Sequence, residues 1–458
     1  MLGLGFTKYI PFGIYIFSII ILAFTLFHKT EIGIYFLISL LPIQNLLDKL
    51  HIYPLGNDLV DIFIIAFIFC WVFKRKQNEI FWQKAHENKA ILFYLILTYA
   101  YLWIGSFSFE IDLPISIYDL RFTNWKNHAI LPILFFIILN NITERRQIII
   151  LLGCIVFSML LVCLGFKANL GSVASHFQHD RRSLGVFSYL GPNEIGAFFA
   201  TYSMIILALL LESRQIIVRL GLALVFAFNM WSLLFTWSRG AYVAAFVGCV
   251  YLAFLRNRII LLLLFALPIC WQTVLPLSVI ERVEMTRSEE GNLEGSGFGR
   301  IQMWNHGLQL FKKNPFGYGL DTIQFLGFHK HGHWDTEFKI KKDPHNKYIE
   351  YLVEMGVLGL FIFLYLYYLA FLSGWRLYRT ANDIFFKGLG VGFSACVLSS
   401  MVVNIFGDRW TYVPLAAFYW VFWALVVRAT LLTQSTSTTP SEVGSESKEQ
   451  QSILLFTN

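Results

Sequence analysis

Asp343-Pro344-His345-Asn346-Lys347-Tyr348-Ile349-Glu350-Tyr351-Leu352-Val353-Glu354-Met355-Gly356-Val357-Leu358-Gly359-Leu360 ends a long polar loop and enters an apolar helix. The spacing places Asn346, Glu350 and Glu354 on one helix face. His345 stands where the chain meets the apolar stretch. Carboxylates at a membrane boundary cost free energy, and such residues usually serve a function. The stretch therefore predicts a bundle of membrane helices and marks where its chemistry lies.

The rest of the chain agrees with that reading. It is 57% hydrophobic and 17% aromatic, with 14% charged residues, against about 25% charge in a soluble domain. Apolar runs long enough to cross a hydrocarbon core of about 30 Å recur along it. They lie near 10–28, 31–46, 57–74, 90–109, 129–143, 147–166, 193–212, 215–237, 239–255, 258–276, 346–372, 385–405 and 411–430. The first two form a crowded pair, one full span with a shorter segment beside it. The expected fold is an all-α integral membrane protein, a polytopic bundle of 12 or 13 transmembrane helices with a large, partly helical periplasmic loop. Four parts follow: N-terminal transmembrane helices with short loops (1–276), the large loop (277–345), C-terminal transmembrane helices (346–430) and a disordered cytoplasmic tail (431–458). The N-terminus lacks a basic region and a small-residue cleavage site, so its first apolar segment is expected to be retained.

Cys70, Cys154, Cys163, Cys249, Cys270 and Cys396 all fall in apolar runs without a CxxC pair, and read as small buried hydrophobes. The net charge of +7 does not point to nucleic acid. Its placement orients the chain. Lys74-Arg75-Lys76, Arg145-Arg146, Arg214 with Arg219, Arg256 with Arg258, and Arg376 with Arg379 mark one side as cytoplasmic. Arg121, Arg181-Arg182, Arg239, Arg282, Arg287, Arg300 and Arg409 then lie on the outer side. Any one of these could snorkel to headgroups. As a group they fit a lipid-linked diphosphate, which guanidinium forks bind bidentately.

Four further motifs frame the site. Trp237-Ser238-Arg239-Gly240-Ala241-Tyr242 joins two apolar runs almost without a loop, where Gly240 allows a turn or close packing. Arg181-Arg182-Ser183-Leu184-Gly185 precedes Gly191-Pro192-Asn193-Glu194, a helix start that Asn193 could cap. Gly297-Phe298-Gly299-Arg300 leads into a segment whose Ile301, Trp304, Leu308 and Phe311 stripe predicts an amphipathic helix lying on the membrane. Phe316-Gly317-Tyr318-Gly319 is a glycine-punctuated turn that fits no nucleotide-binding spacing. His329, His331 and His333 alternate, with Asp335 and Glu337 continuing the period; a solvated loop or a metal site is compatible with this. His345 is the catalytic candidate, since imidazole accepts a proton near neutral pH.

In this order, across roughly 180–365, these motifs resemble the O-antigen ligase-like family of bacterial membrane proteins, which includes O-antigen ligases and repeat-unit polymerases. The resemblance implies an inverting, metal-independent glycosyltransferase of the bacterial inner membrane without a cofactor. Its donor would be a glycan on undecaprenyl diphosphate. Its acceptor would be lipid A core or a second lipid-linked glycan, and its active site would face the periplasm. Family positions map onto Arg239, which would hold the diphosphate, and His345, which would deprotonate or orient the acceptor hydroxyl. Arg181, Arg182 and Arg300 would offset the leaving charge, with Asn193, Asn346, Glu350 and Glu354 as supporting polar groups. A nucleotide-sugar donor is disfavoured on the outer side. Two other classes stay open: a transporter, against which few midplane charges and no convincing internal repeat speak, and a metallohydrolase using His329, His331 and His333.

Overall fold

The computed structural model describes residues 9–74, 81–170, 176–177, 182–183, 185–187, 190–256, 258–285, 295–327 and 344–437. Helices α1 (Ile10–Phe27), α2 (Thr30–Leu40), α3 (Gln44–Leu47) and α4 (Leu59–Phe73) open the chain. Next come α5 (Glu87–Phe109), α6 (Leu120–Asn141), α7 (Arg145–Leu170) and α8 (Pro192–Glu212). Then follow α9 (Ile216–Leu234), α10 (Arg239–Arg256), α11 (Arg258–Val274), α12 (Leu277–Glu284) and α13 (Gly295–Lys313). The chain closes with α14 (Lys347–Thr380), α15 (Ile384–Val403) and α16 (Val413–Ser437). No strand occurs among the described residues, so the protein is an all-α polytopic membrane protein.

All thirteen apolar segments are helical, but among the described residues ten helices are long and apolar enough to span, or eleven with a bent pair counted as one. The bent pair is α2 with α3 and the 3-10 turn after it, broken by 105°; Pro42 sits at the break, where its ring and missing N–H stop a helix. α4 has 15 residues and α11 has 17, with a kink at Cys270. The cysteine reading needs correction at that kink: Cys270 is exposed and Cys154 and Cys249 are half-buried, while Cys70, Cys163 and Cys396 are buried. The last helix runs seven residues past the expected boundary at 430; residues 438–458 lie outside the described ones.

α15 packs against α8, α10 and α14. Small residues let those backbones approach, as is common between membrane helices. A methyl group on Gly390 would stand 2.7 Å from the Gly374 carbonyl of α14, and one on Gly392 would stand 2.8 Å from Ala208 of α8.

α14 is broken at Gly356, whose φ is +62°. The turn at Phe316–Gly319 fills the break. Tyr318 and Gly319 donate their N–H groups to the Val353 and Glu354 carbonyls at 3.0 and 2.8 Å, and Val357 N–H donates to the Pro315 carbonyl at 3.1 Å. The glycines are needed for this approach: a Cβ on Gly317, where φ is +90°, would stand 2.5 Å from the Glu354 carbonyl oxygen. Gly317→Ala is therefore expected to destabilise the fold by about 1–3 kcal/mol. Thermal unfolding in detergent checks it against Gly299→Ala, where open space surrounds the new methyl.

The amphipathic helix forms as α13, with one face against the protein. Met303 and Gly307 are buried and Leu310 half-buried, while Ile301 and Leu308 are exposed. Met303 and Val353 of α14 form a small core with Leu310, Tyr318 and Ile349.

Candidate active site

Arg182, Arg239, Arg282, Arg300 and Arg409 line one small cavity of about 90 Å³, with Asn193, Trp237, Ser238 and Gly240. They arrive from five separate stretches of chain. Arg182 precedes α8, Arg239 begins α10, Arg282 lies on α12, Arg300 on α13, and Arg409 precedes α16. The N-terminal turns of α8 and α10 face the same cavity, and their unsatisfied N–H groups add partial positive charge.

Local bonds hold the guanidinium groups in place. Arg182 donates to the Thr236 carbonyl at 2.7 Å and to Asn193 Oδ1 at 3.0 Å. Asn193 is therefore not the helix cap. Gly191 occupies that position without a side-chain bond, and the Asn193 amide is spent on the arginine. The tight α9–α10 turn is made at Trp237, whose φ is +51°. Gly240 serves close packing instead: a Cβ there would stand 2.7 Å from the Phe406 ring. Arg409 bonds Glu194 at 2.9 Å. Burial pushes the Arg182 pKa down to about 10, with the nearby Arg282 charge adding to it. Arg300 is lowered too, first by burial and then by Arg409 and Arg239. Two unit charges 4 Å apart repel by about 4 kcal/mol at an effective dielectric of 20. Such a cluster concentrates positive charge in a small, largely buried space.

A second, larger cavity of about 840 Å³ lies next to it. Its walls include Lys347, Glu350 and Glu354 of α14 together with Asp408. Lys347 is 2% exposed and bonds both Glu350 at 2.6 Å and Asp408 at 3.0 Å. Burial would raise Asp408, but the Lys347 charge and the Thr411 hydroxyl outweigh it and the carboxylate is held low. Asp408 also accepts from the backbone N–H groups of Trp410 and Thr411. Asp408 lines the larger cavity and Arg409 the smaller one, so adjacent residues separate the two.

His345 lines neither of these cavities. It is half-buried and sits at φ +48°, in the left-handed region, a conformation that costs of order 1–3 kcal/mol. Both flanks are pinned. The Trp304 indole donates to the Pro344 carbonyl at 3.0 Å, one turn along α13 from Arg300. On the other side Asn346 caps α14, accepting from Tyr348 and Ile349 N–H at 3.0 and 3.2 Å. Lys347 then ties the segment to Asp408, beside Arg409.

The sequence-derived residues thus divide. Arg182, Arg239, Arg300 and Asn193 meet at the smaller cavity. Glu350 and Glu354 line the larger one. Asn346 is a helix cap rather than a member of their face. Glu354 accepts from the Thr322 and Ile323 N–H groups at 2.9 and 3.1 Å. Arg121 leaves the outer-arginine group altogether: it bonds Ser106 and the Leu102 and Leu320 carbonyls, anchoring the 316–320 turn to α5. Arg282 and Arg409 were visible as outer arginines but not as members of the site. Lys347 and Asp408 were missed, because nothing local in the sequence pairs residues 61 positions apart. Arg181, Arg287, His329, His331, His333, Asp335 and Glu337 lie outside the described residues. Among the described residues no group of three His, Cys, Asp or Glu side chains could hold a metal ion.

Fold and site together define a multi-pass membrane protein with a cavity lined by five arginines. Residues 222–364 match the family described as O-antigen ligase, about a third of the chain. The match spans α9 to the first part of α14, including Arg239, Arg282, Arg300 and His345; Arg182, Asn193 and Arg409 lie outside it. No curated protein matches the chain. The family match supports a membrane glycosyltransferase-like role, and with ten apolar helices it suggests a multi-pass protein of the bacterial inner membrane.

Proposed function

We propose that this protein transfers a glycan from a lipid diphosphate, of the undecaprenyl type, to an acceptor hydroxyl at the periplasmic face of the membrane. The observation that carries this reading is the convergence of five arginines and two helix N-termini on one small cavity. Guanidinium forks suit phosphate oxygens, and they stabilise the diphosphate most as its charge grows on leaving. Arg239 is the central holder, with Arg182, Arg282, Arg300 and Arg409 around it. In the single displacement, the acceptor oxygen attacks the anomeric carbon and its proton passes to His345. The carbon–oxygen bond to the diphosphate breaks, and the lipid diphosphate departs with the electron pair. The configuration inverts and no metal takes part. The pinned, left-handed backbone at His345 fits a group held for such a task.

Purified protein in lipid vesicles, given a lipid-diphosphate-linked repeat and no nucleotide sugar, is expected to release lipid diphosphate. A ladder of products with the lipid-linked repeat alone identifies a polymerase. A single addition to lipid A core identifies a ligase. Absence of lipid diphosphate release with either acceptor overturns the proposal.

A further inference from the structure

The larger cavity has an uneven charge. Asp48, Asp58 and Asp61 contribute to it from the α3–α4 region, and Asp321 from the turn after α13. Glu350, Glu354 and Asp408 complete seven carboxylates, facing two ammonium groups, Lys126 and Lys347. Both lysines are already engaged: Lys126 bonds Asp61, and Lys347 bonds Glu350 and Asp408. Asp321 is bridged by the Asn124 amide at 3.2 Å, and burial raises its pKa despite that bond. Asn57, Asn127, Gln324, Trp125 and Tyr412 also line the walls. His128 lines them too, with its Nε2 paired to the Tyr94 hydroxyl. A roomy cavity with amides, carboxylates and aromatic faces is suited to a polyhydroxylated ligand.

We infer that this cavity receives the acceptor glycan and selects a sugar end that carries no acidic group, one that is neutral or amine-bearing. The inference rests on the glycosyl-transfer reading, because the cavity adjoins the arginine cavity through Asp408 and Arg409. Carboxylates accept hydrogen bonds from sugar hydroxyls, and attract an ammonium. A uronate or phosphorylated sugar would meet like charge, which works as discrimination against it. The neighbouring cavities would then sort substrate ends by charge, the diphosphate to the arginines and the uncharged sugar to the carboxylates.

The full chain in lipid nanodiscs can be titrated by calorimetry with tetrasaccharides of glucose, glucosamine and galacturonate, and separately with inorganic diphosphate. The glucose and glucosamine tetramers are expected to bind at least about tenfold more tightly than the galacturonate tetramer. Asp58→Asn combined with Asp321→Asn should shrink that ratio and leave diphosphate binding unchanged. Asp58 is exposed, so Asp58→Asn alone serves where the double variant misfolds. Equal or tighter galacturonate binding, or no binding of any tetrasaccharide, overturns the inference. Diphosphate binding that is absent, or that survives Arg239→Ala, overturns the donor reading instead, and the wild-type tetrasaccharide ratio still judges the acceptor cavity by itself.

Discussion

Arg239→Ala is expected to weaken inorganic diphosphate binding roughly thirtyfold or more, and to lower transfer from a lipid-diphosphate donor at least as much. Removing one member of a buried, hydrogen-bonded charge contact costs about 2–5 kcal/mol, and a factor of ten corresponds to about 1.4 kcal/mol. Arg239 begins α10 and lines the cavity with Arg182, Arg282, Arg300 and Arg409. A phosphate-holding group acts in the ground state and in the transition state, so KM and kcat should both suffer. Arg239→Lys should recover binding only in part, because the ammonium keeps the charge and loses the planar fork. The control is Arg121→Lys. Arg121 is committed to Ser106 and two backbone carbonyls away from the cavity, so its loss should lower thermal stability without the same change in diphosphate affinity. Diphosphate affinity in Arg239→Ala equal to wild type would remove Arg239 from the donor site.

The contrast between these arginines shows where reading the chain succeeds and stops. Apolar run length was enough to locate all thirteen helical segments, because backbone satisfaction in a hydrocarbon core leaves few other choices. It was not enough to count full spans. The break after α2, the short α4 and the kinked α11 depend on packing and on single residues such as Pro42. Charge bias grouped eight outer arginines. The tertiary fold then sent Arg182, Arg239, Arg282, Arg300 and Arg409 to one cavity and Arg121 to another task. Nothing in local spacing separates Arg121 from Arg239, since each stands at the start of an apolar helix. The Lys347–Asp408 pair joins residues far apart in sequence, so it became visible only once α14 and the segment before α16 were placed together.

His345→Ala is expected to reduce glycan transfer by about 10²–10⁴-fold, the usual contribution of a general base, while diphosphate binding stays close to wild type. Alanine at this position carries a second effect, because the backbone is held at φ +48°. His345→Asn separates the two. Asparagine tolerates the left-handed region far better than most residues, yet its amide cannot accept the proton. A general base predicts equal losses of transfer in the alanine and asparagine variants. A purely conformational role predicts that asparagine restores most of the activity. The segment's anchors give an independent check. Trp304→Phe removes the indole bond to the Pro344 carbonyl and keeps an aromatic ring, so it should lower kcat through loss of His345 placement while leaving the pH dependence of the remaining activity unaltered. In both His345 variants the limb of the kcat/KM pH profile that reports the base in the free enzyme should disappear. Near-normal transfer by His345→Asn, or retention of that limb, would assign the proton to another group, and the carboxylates of the adjoining cavity would be tested next.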